Sequence, residues 1–171
     1  MKLKKQYPFA FGRAGFTMVE ILVVLAIGAI LAAIAIGGLN TIIPRSQTKS
    51  AAQQLHADLQ KAKMASVKNN RASLITFSEA SGSDSGSITA CFDDDDDDTC
   101  NSGETIIARI DMNDYKHAEL KSASFSSGPD HFEFNPRGMP TGQGNFEINC
   151  KSDASYSLKV ILSWTGRIRV N

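Results

Sequence analysis

Ile21 to Leu39 is a run of nineteen residues without a single charge. As a helix it is about long enough to cross a hydrocarbon core, which leaves few other structures open to this end of the chain. Just ahead of it stands Phe16-Thr17-Met18-Val19-Glu20, behind a short leader ending in Arg13-Ala14-Gly15. A carboxylate inside such a segment costs roughly 2.5 kcal/mol or more at mid-bilayer, and less near an interface. Glu20 is therefore expected to meet a partner of opposite charge.

Lys2, Lys4, Lys5 and Arg13 precede the run with no acid among them. The positive-inside bias then keeps the N-terminus cytoplasmic and sends the rest of the chain across the membrane. Two plainer readings compete. An ordinary secretory signal needs small residues in an A-x-A-like pattern after its apolar core, which Ala33-Ile34-Ala35 imitates. A signal-anchor helix needs only the length. Neither accounts for Gly15-Phe16 followed four residues later by Glu20.

Those residues resemble the processing site of class III prepilins, the precursors of type IV pilins and type II secretion pseudopilins. The resemblance implies that a prepilin peptidase cuts between Gly15 and Phe16 on the cytoplasmic side and methylates the new N-terminal residue. The apolar segment stays in the mature chain. Glu20 then meets the N-terminal amine of a neighbouring subunit; opposite charges in low dielectric attract strongly, whereas either alone is costly. Family members often carry a proline near the end of the apolar half. Here Gly37-Gly38 stands there, with Pro44 further on. Glycines weaken a helix by about 1 kcal/mol each, so an interruption between Gly37 and Pro44 is expected. The chain is thus read as a leader over 1–15, a transmembrane and polymerisation helix over 16–43, and a soluble domain over 44–171.

That domain is long enough for a modest core. The formal charge of zero hides an uneven distribution. Without the leader's positives, 14 basic residues face 18 acidic ones. Arg45 to Arg71 has a net charge of +5, Ala72 to Asp130 of −10, and His131 to Asn171 of +2. Whole-chain charge therefore excludes nothing about polyanion binding, because local patches decide it. Cys91, Cys100 and Cys150 would face an oxidising compartment after export. A Cys91–Cys100 disulfide across an acid-rich loop is expected. Cys150 follows Phe146 and Ile148 at period two and is expected in a core, although sequence leaves its pairing open. Zinc is a poor fit, since close Cys/His pairs are lacking.

From Ser46 to about Asn70 the pattern is helical, with Ala52, Leu55, Leu59 and Ala62 recurring at three and four. The basic residues of this stretch read as a solvated face. After Asn70 the period changes to two. Strands are expected over Ser73–Phe77, Ile88–Phe92, Thr105–Met112, Glu119–Phe125, His131–Phe134, Phe146–Cys150 and Tyr156–Trp164. No β-α-β alternation is present, so the fold class is α+β: a long N-terminal helix packed on an antiparallel sheet domain, pilin-like.

The last hairpin concentrates the chemistry. Tyr156, Leu158, Val160, Leu162 and Trp164 alternate as one apolar face, which places Trp164 in the core although an indole can also stack on a base. Thr165-Gly166 reads as a turn. Ile168 and Val170 then face the core while Arg167 and Arg169 project to solvent about 7 Å apart. Guanidinium groups so placed suit neighbouring phosphates. The segment Ser163-Trp164-Thr165-Gly166-Arg167-Ile168-Arg169-Val170 resembles the C-terminal signature of the GspH/FimT-like minor pilins and pseudopilins. Asn135-Pro136-Arg137-Gly138 resembles the segment that usually precedes it. In FimT-like members a Gly-Arg-x-Arg element supports DNA capture during natural transformation. That resemblance implies Gly166, Arg167 and Arg169, with Arg137 a weaker addition, as contacts to double-stranded DNA, nonspecific and salt-dependent. Paired arginines on an edge strand also block edge-to-edge aggregation. Relatives that serve secretion share the signature, so a periplasmic pseudopilus subunit is the alternative.

Asp93, Asp95, Asp97, Thr99, Asn101 and Glu104 fall at positions one, three, five, seven, nine and twelve of an EF-hand-like loop. Position six is Asp98 rather than glycine, and no flanking helix pair is evident. Calcium held by Asp93, Asp95, Asp97, Asn101 and Glu104 is one expectation, and a solvated hairpin tip is the other. His56, His117 and His131 are scattered, and no phosphate loop or HExxH appears, so no enzyme is expected and no other cofactor. The expected partners are other pilin or pseudopilin subunits, the peptidase and the bacterial inner membrane, with the soluble domain periplasmic.

Overall fold

The computed structural model describes residues 15–171, except 96, 102, 129 and the side chains of 35–40. The leader positions Lys2, Lys4, Lys5 and Arg13 lie outside the described residues. The chain divides into two compact units, one ending at Leu39 and the other Asn40–Asn171.

A single helix, α1 (Met18–Asn69), begins at Thr17, whose hydroxyl accepts the Glu20 N–H at 3.2 Å, as an N-terminal cap does. In the first unit Phe16, Met18, Val19, Leu22, Leu25, Ile30 and Ile34 are all exposed. Among the described residues no helix is long and apolar enough to cross a membrane. The apolar run read from the sequence continues over 35–40, whose side chains lie outside that description.

The expected interruption between Gly37 and Pro44 is absent, for the helix continues through Pro44. A proline removes one helical N–H and crowds the preceding turn. Its ring is buried here, and the next turn is tied back by Thr48 Oγ1, which donates to the Pro44 carbonyl at 3.0 Å. The helix ends in a Schellman arrangement. Asn70 takes the left-handed conformation (φ 51°), its N–H bonds Val67 O, and the Arg71 N–H bonds Ser66 O.

In the second unit α1 buries Thr48, Ala51, Ala52, Leu55, Asp58, Leu59, Ala62 and Ser66, one stripe at helical spacing. Eight strands follow: β1 (Ser73–Ser78), β2 (Ser87–Phe92), β3 (Thr105–Asp111), β4 (Ala118–Phe125), β5 (His131–Phe134), β6 (Gly144–Cys150), β7 (Asp153–Leu162) and β8 (Ile168–Val170). They form two antiparallel four-stranded sheets, ordered β3-β2-β1-β5 and β4-β6-β7-β8. Met112, expected to end β3, lies instead in a 3-10 turn capped by Asp111.

Alternate residues of both sheets meet in one core with the helix stripe. Its centre is aromatic. Phe125 stacks on Phe132 at 4.5 Å, and Phe77 and Phe134 meet Phe146 and Phe132 edge-on at 5.3 Å and 5.5 Å. Both arrangements suit the ring quadrupole. Cys150 is a buried free thiol on β6, while Cys91 and Cys100 are joined, Cα to Cα 5.8 Å.

Candidate functional site

Three places bear the residues singled out above. The first is the start of α1. Gly15 and Phe16 precede the helix in non-helical backbone, and Glu20 sits in its first turn. Thr17-x-x-Glu20 has the form of a capping box, and its threonine half is made. The carboxylate half is not: among the described residues nothing bonds or pairs the Glu20 side chain. Around it Phe16, Val19, Ile21 and Val24 stand exposed, with Phe16 at 77%. A negative charge without a partner, on a helix apolar on every side, needs cover from another molecule.

The second place is built by two turns of the same design. Asn135 to Met139 closes through Gly138 N–H to Asn135 O (2.8 Å) and Asn135 N–H to Met139 O (2.9 Å). Ser163 to Arg167 closes through Gly166 N–H to Ser163 O (2.8 Å) and Ser163 N–H to Arg167 O (3.1 Å). Each has its fourth residue in the left-handed region, Gly138 at φ 74° and Gly166 at φ 71°, the conformation that a three-residue hairpin loop assigns to glycine. The turns touch, and both meet α1: a Cβ on Gly166 would run into the Gly138 carbonyl oxygen, and one on Gly138 would lie 3.0 Å from Lys63 Cε. From α1, Lys63 Nζ donates to Gly166 O at 2.8 Å. The helix thus clasps both turns, and a groove of about 340 Å³ runs beside the clasp, lined by Gln60, Lys63, Met64, Gly166, Arg167 and Ile168.

The clasp brings Arg137 and Arg167 to adjoining turns, with both side chains exposed. Arg169 is exposed on β8, opposite Ile161 of β7, while Ile168 opposite Leu162 packs on the core. Lys63 was read from sequence as part of a solvated face. It is half-buried and bonded to Gly166, which the helical period could not show because its partner lies 103 residues away.

Trp164 corrects an expectation. It is 55% exposed, because β7 ends at Leu162 and the chain turns at Ser163, so period-two alternation stops before it. Val170, expected inward, is 37% exposed at the end of the short strand β8.

The acidic loop leaves β2 under the Cys91–Cys100 bond. Arg71 donates to Asp93 O at 2.6 Å and pairs with Asp94. Asp93, Asp95 and Asp97 bring carboxylate oxygens within 4.8 Å of one another, a donor set suited to a hard cation such as calcium. Asn101 and Glu104, also expected as ligands, are turned onto the loop itself. Asn101 Nδ2 donates to Asp97, and the two Glu104 oxygens accept the N–H groups of Asp94 and Asn101. Asp98 takes the left-handed conformation, φ 58°, at the position where an EF-hand places glycine. Lost solvation, then the charges of Asp97 and Glu104, raise the Asp95 carboxyl above the ordinary range, whereas hydrogen bonds from Thr99 hold Asp97 below it.

Among the described residues His56 Nε2 meets Gln60 Nε2 at 3.3 Å and His131 Nδ1 meets Asp130 Oδ1 at 2.9 Å, and neither ring has a hydroxyl or thiol partner. His117 Nδ1 meets Ser152 Oγ at 2.8 Å. Among the described residues no carboxylate orients that ring, as a catalytic triad would require.

Comparison with known proteins gives the class first. The fold matches the type IV minor pilin FimU of Pseudomonas aeruginosa in two crystal forms. One aligns with a TM-score of 0.52 at 21% identity over 74% of this chain and 90% of that one. The other gives 0.50 at 21% identity, over 72% and 91%. The prokaryotic N-terminal methylation motif matches residues 11–36. The type II transport protein GspH family matches residues 51–166, and the chain belongs to that family. No curated protein matches it closely enough to count as a relative.

Two outcomes follow. Gly166→Ala places a side chain at positive φ against the Gly138 carbonyl, and should lower stability by about 1–3 kcal/mol in urea unfolding. Asp95→Asn should raise the melting temperature at neutral pH. Because the folded carboxyl titrates above its unfolded value, the ionised form weakens the fold above that range, and the gain should vanish once the wild-type group is protonated in acid.

Proposed function

We propose that this chain is a minor subunit of a type IV pilus, held in the bacterial inner membrane before assembly, with the domain over 44–171 in the periplasm. A prepilin peptidase cuts between Gly15 and Phe16, and the helix that follows is the polymerisation handle. The observation that carries this reading is Glu20: a carboxylate unpaired in its own chain among the described residues, on a helix whose apolar side chains are exposed around it. A neighbouring subunit supplies both missing parts, apolar cover for the helix and the methylated amine of Phe16 for the charge.

The same subunit offers the clasped turns to double-stranded DNA. Arg167 and Arg169 alternate outward, and Arg137 joins them from the adjoining turn, so a few phosphates can be engaged at once. Binding of this kind is sequence-independent and steeply salt-dependent. Uptake of DNA in natural transformation is the role it suits. The family match favours a second reading, a minor pseudopilin of type II secretion, in which the same helix builds a periplasmic pseudopilus and the arginines shield a sheet edge.

For assembly, the exported chain should begin at Phe16 on N-terminal sequencing, and Glu20→Ala should vanish from sheared filaments while its membrane level is unchanged. Equal incorporation of the variant overturns the assembly role. For DNA, the full chain in detergent should retard duplex DNA at low salt, and Arg167→Ala with Arg169→Ala should abolish the shift. A chain that never retards DNA overturns the DNA role and favours the secretion reading or a purely structural subunit.

A further inference from the structure

β8 is the edge of the second sheet, and register places its neighbours without ambiguity. Arg169 lies opposite Ile161 of β7 and faces away from the core, because the pairs on either side, Ile168 with Leu162 and Val170 with Val160, have β7 members that are buried. Lys159, two residues before Ile161, therefore shares that outer face and sits diagonally next to Arg169, within reach of a long side chain. Lys159 is in turn opposite Glu147 on β6. The Glu147 carboxylate bonds Lys121 Nζ of β4 at 3.1 Å and pairs with Lys159 Nζ at 3.4 Å. Hydrogen bonds from these lysines hold the Glu147 carboxyl below its usual range. Both lysine side chains remain about half exposed, whereas the glutamate is 17% exposed beneath them. On β4, Glu119 two residues before Lys121 marks where the basic row ends.

One carboxylate thus holds two ammonium groups, leaving a surplus positive charge beside Arg167 and Arg169. We propose that Lys159 and Lys121 extend the phosphate-binding surface from β8 across the outer face of the second sheet, with Glu147 as a built-in competitor that sets how tightly a nucleic-acid backbone is held. This rests on the DNA reading above and adds to it a second set of contacts and a restraint on them. Strands about 4.8 Å apart place Lys159 and Lys121, two strands from each other, roughly 10 Å apart at the backbone, and their flexible stems can follow a phosphate chain over that span.

The test is a salt titration of duplex DNA binding, by fluorescence anisotropy, on the full chain in detergent. Glu147→Gln should bind more tightly and steepen the log–log salt slope, by up to about 0.9 for each lysine released. Lys121→Ala with Lys159→Ala should weaken binding and flatten the slope. In the triple variant the gain from Glu147→Gln should disappear. Asp114→Asn makes the same charge change off this face and should give no such gain.

A gain that survives without the lysines, or equals that of Asp114→Asn, reflects general charge and overturns the proposal. Loss of binding in Arg167→Ala/Arg169→Ala, with no response to any change at Lys121, Glu147 or Lys159, confines the site to the arginine pair: the DNA reading stands and this one falls. A wild-type chain that does not bind DNA overturns both.

Discussion

Both sheets depend on one narrow stripe of α1. Ala51, Ala52, Leu55, Leu59 and Ala62 are buried in one cluster with core residues of both sheets, the phenylalanines Phe77, Phe132, Phe134 and Phe146 among them. A stripe of larger side chains would hold the sheets away and leave gaps that the aromatics do not fill. The polar members of the stripe find partners inside the fold. Thr48 bonds the Pro44 carbonyl, Ser66 bonds Lys63 O, and Asp58 receives Gln54 and Lys61. Lys63, next to Ala62 on the helix, connects this packing to the basic turns. What positions Arg137 and Arg167 is therefore the same helix face that founds the core.

Charge is sorted by topology. The acidic loop leaves the first sheet between β2 and β3, where Arg71 and the disulfide tie it down. The basic row lies on the outer face and edge of the second sheet. A chain with no net charge can thus present a cationic face to a polyanion. Screening over roughly 8 Å at physiological salt keeps distant carboxylates from cancelling it.

Much of this was legible in the sequence, because each signal was local. The period-two runs from Ser73 onward, the alanine-rich helical stripe, the Cys91–Cys100 pair and the outward alternation of Arg167 and Arg169 all follow from spacing along a single element. The failures came where a second element decides the outcome. Trp164 obeyed the alternation until the strand ended at Leu162, and a strand end depends on hairpin hydrogen bonding rather than on hydrophobic pattern. Pro44 reads as a breaker, but a helix supported by burial on the following turns absorbs the loss of one hydrogen bond. Lys63 and Lys159 carry no pattern of their own. Gly166 gives the first its meaning from the far end of the chain, and Glu147 the second from across the ladder. The matching turns at Asn135 and Ser163 were visible as Asn-Pro-Arg-Gly and Trp-Thr-Gly, yet only the fold sets Gly166 against the Gly138 carbonyl and both turns against Lys63.

The arginine pair alone does not distinguish recognition from edge protection, because β8 is an edge strand and charged side chains there prevent sheet-to-sheet pairing whatever else they do. The edge-protection account does not extend to Lys159. It lies on β7, an interior strand with β6 on one side and β8 on the other, so it has no edge to defend. A cross-strand pair with Glu147 would account for one lysine, since opposite charges across a ladder are worth a few tenths of a kcal/mol to about 1 kcal/mol. It does not account for two. Placing a second ammonium on the same carboxylate adds little for the fold, where exposed pairs contribute weakly, and it adds like-charge repulsion toward Arg169. Surplus positive charge on a strand with no edge to protect is what the phosphate-binding face proposed above requires.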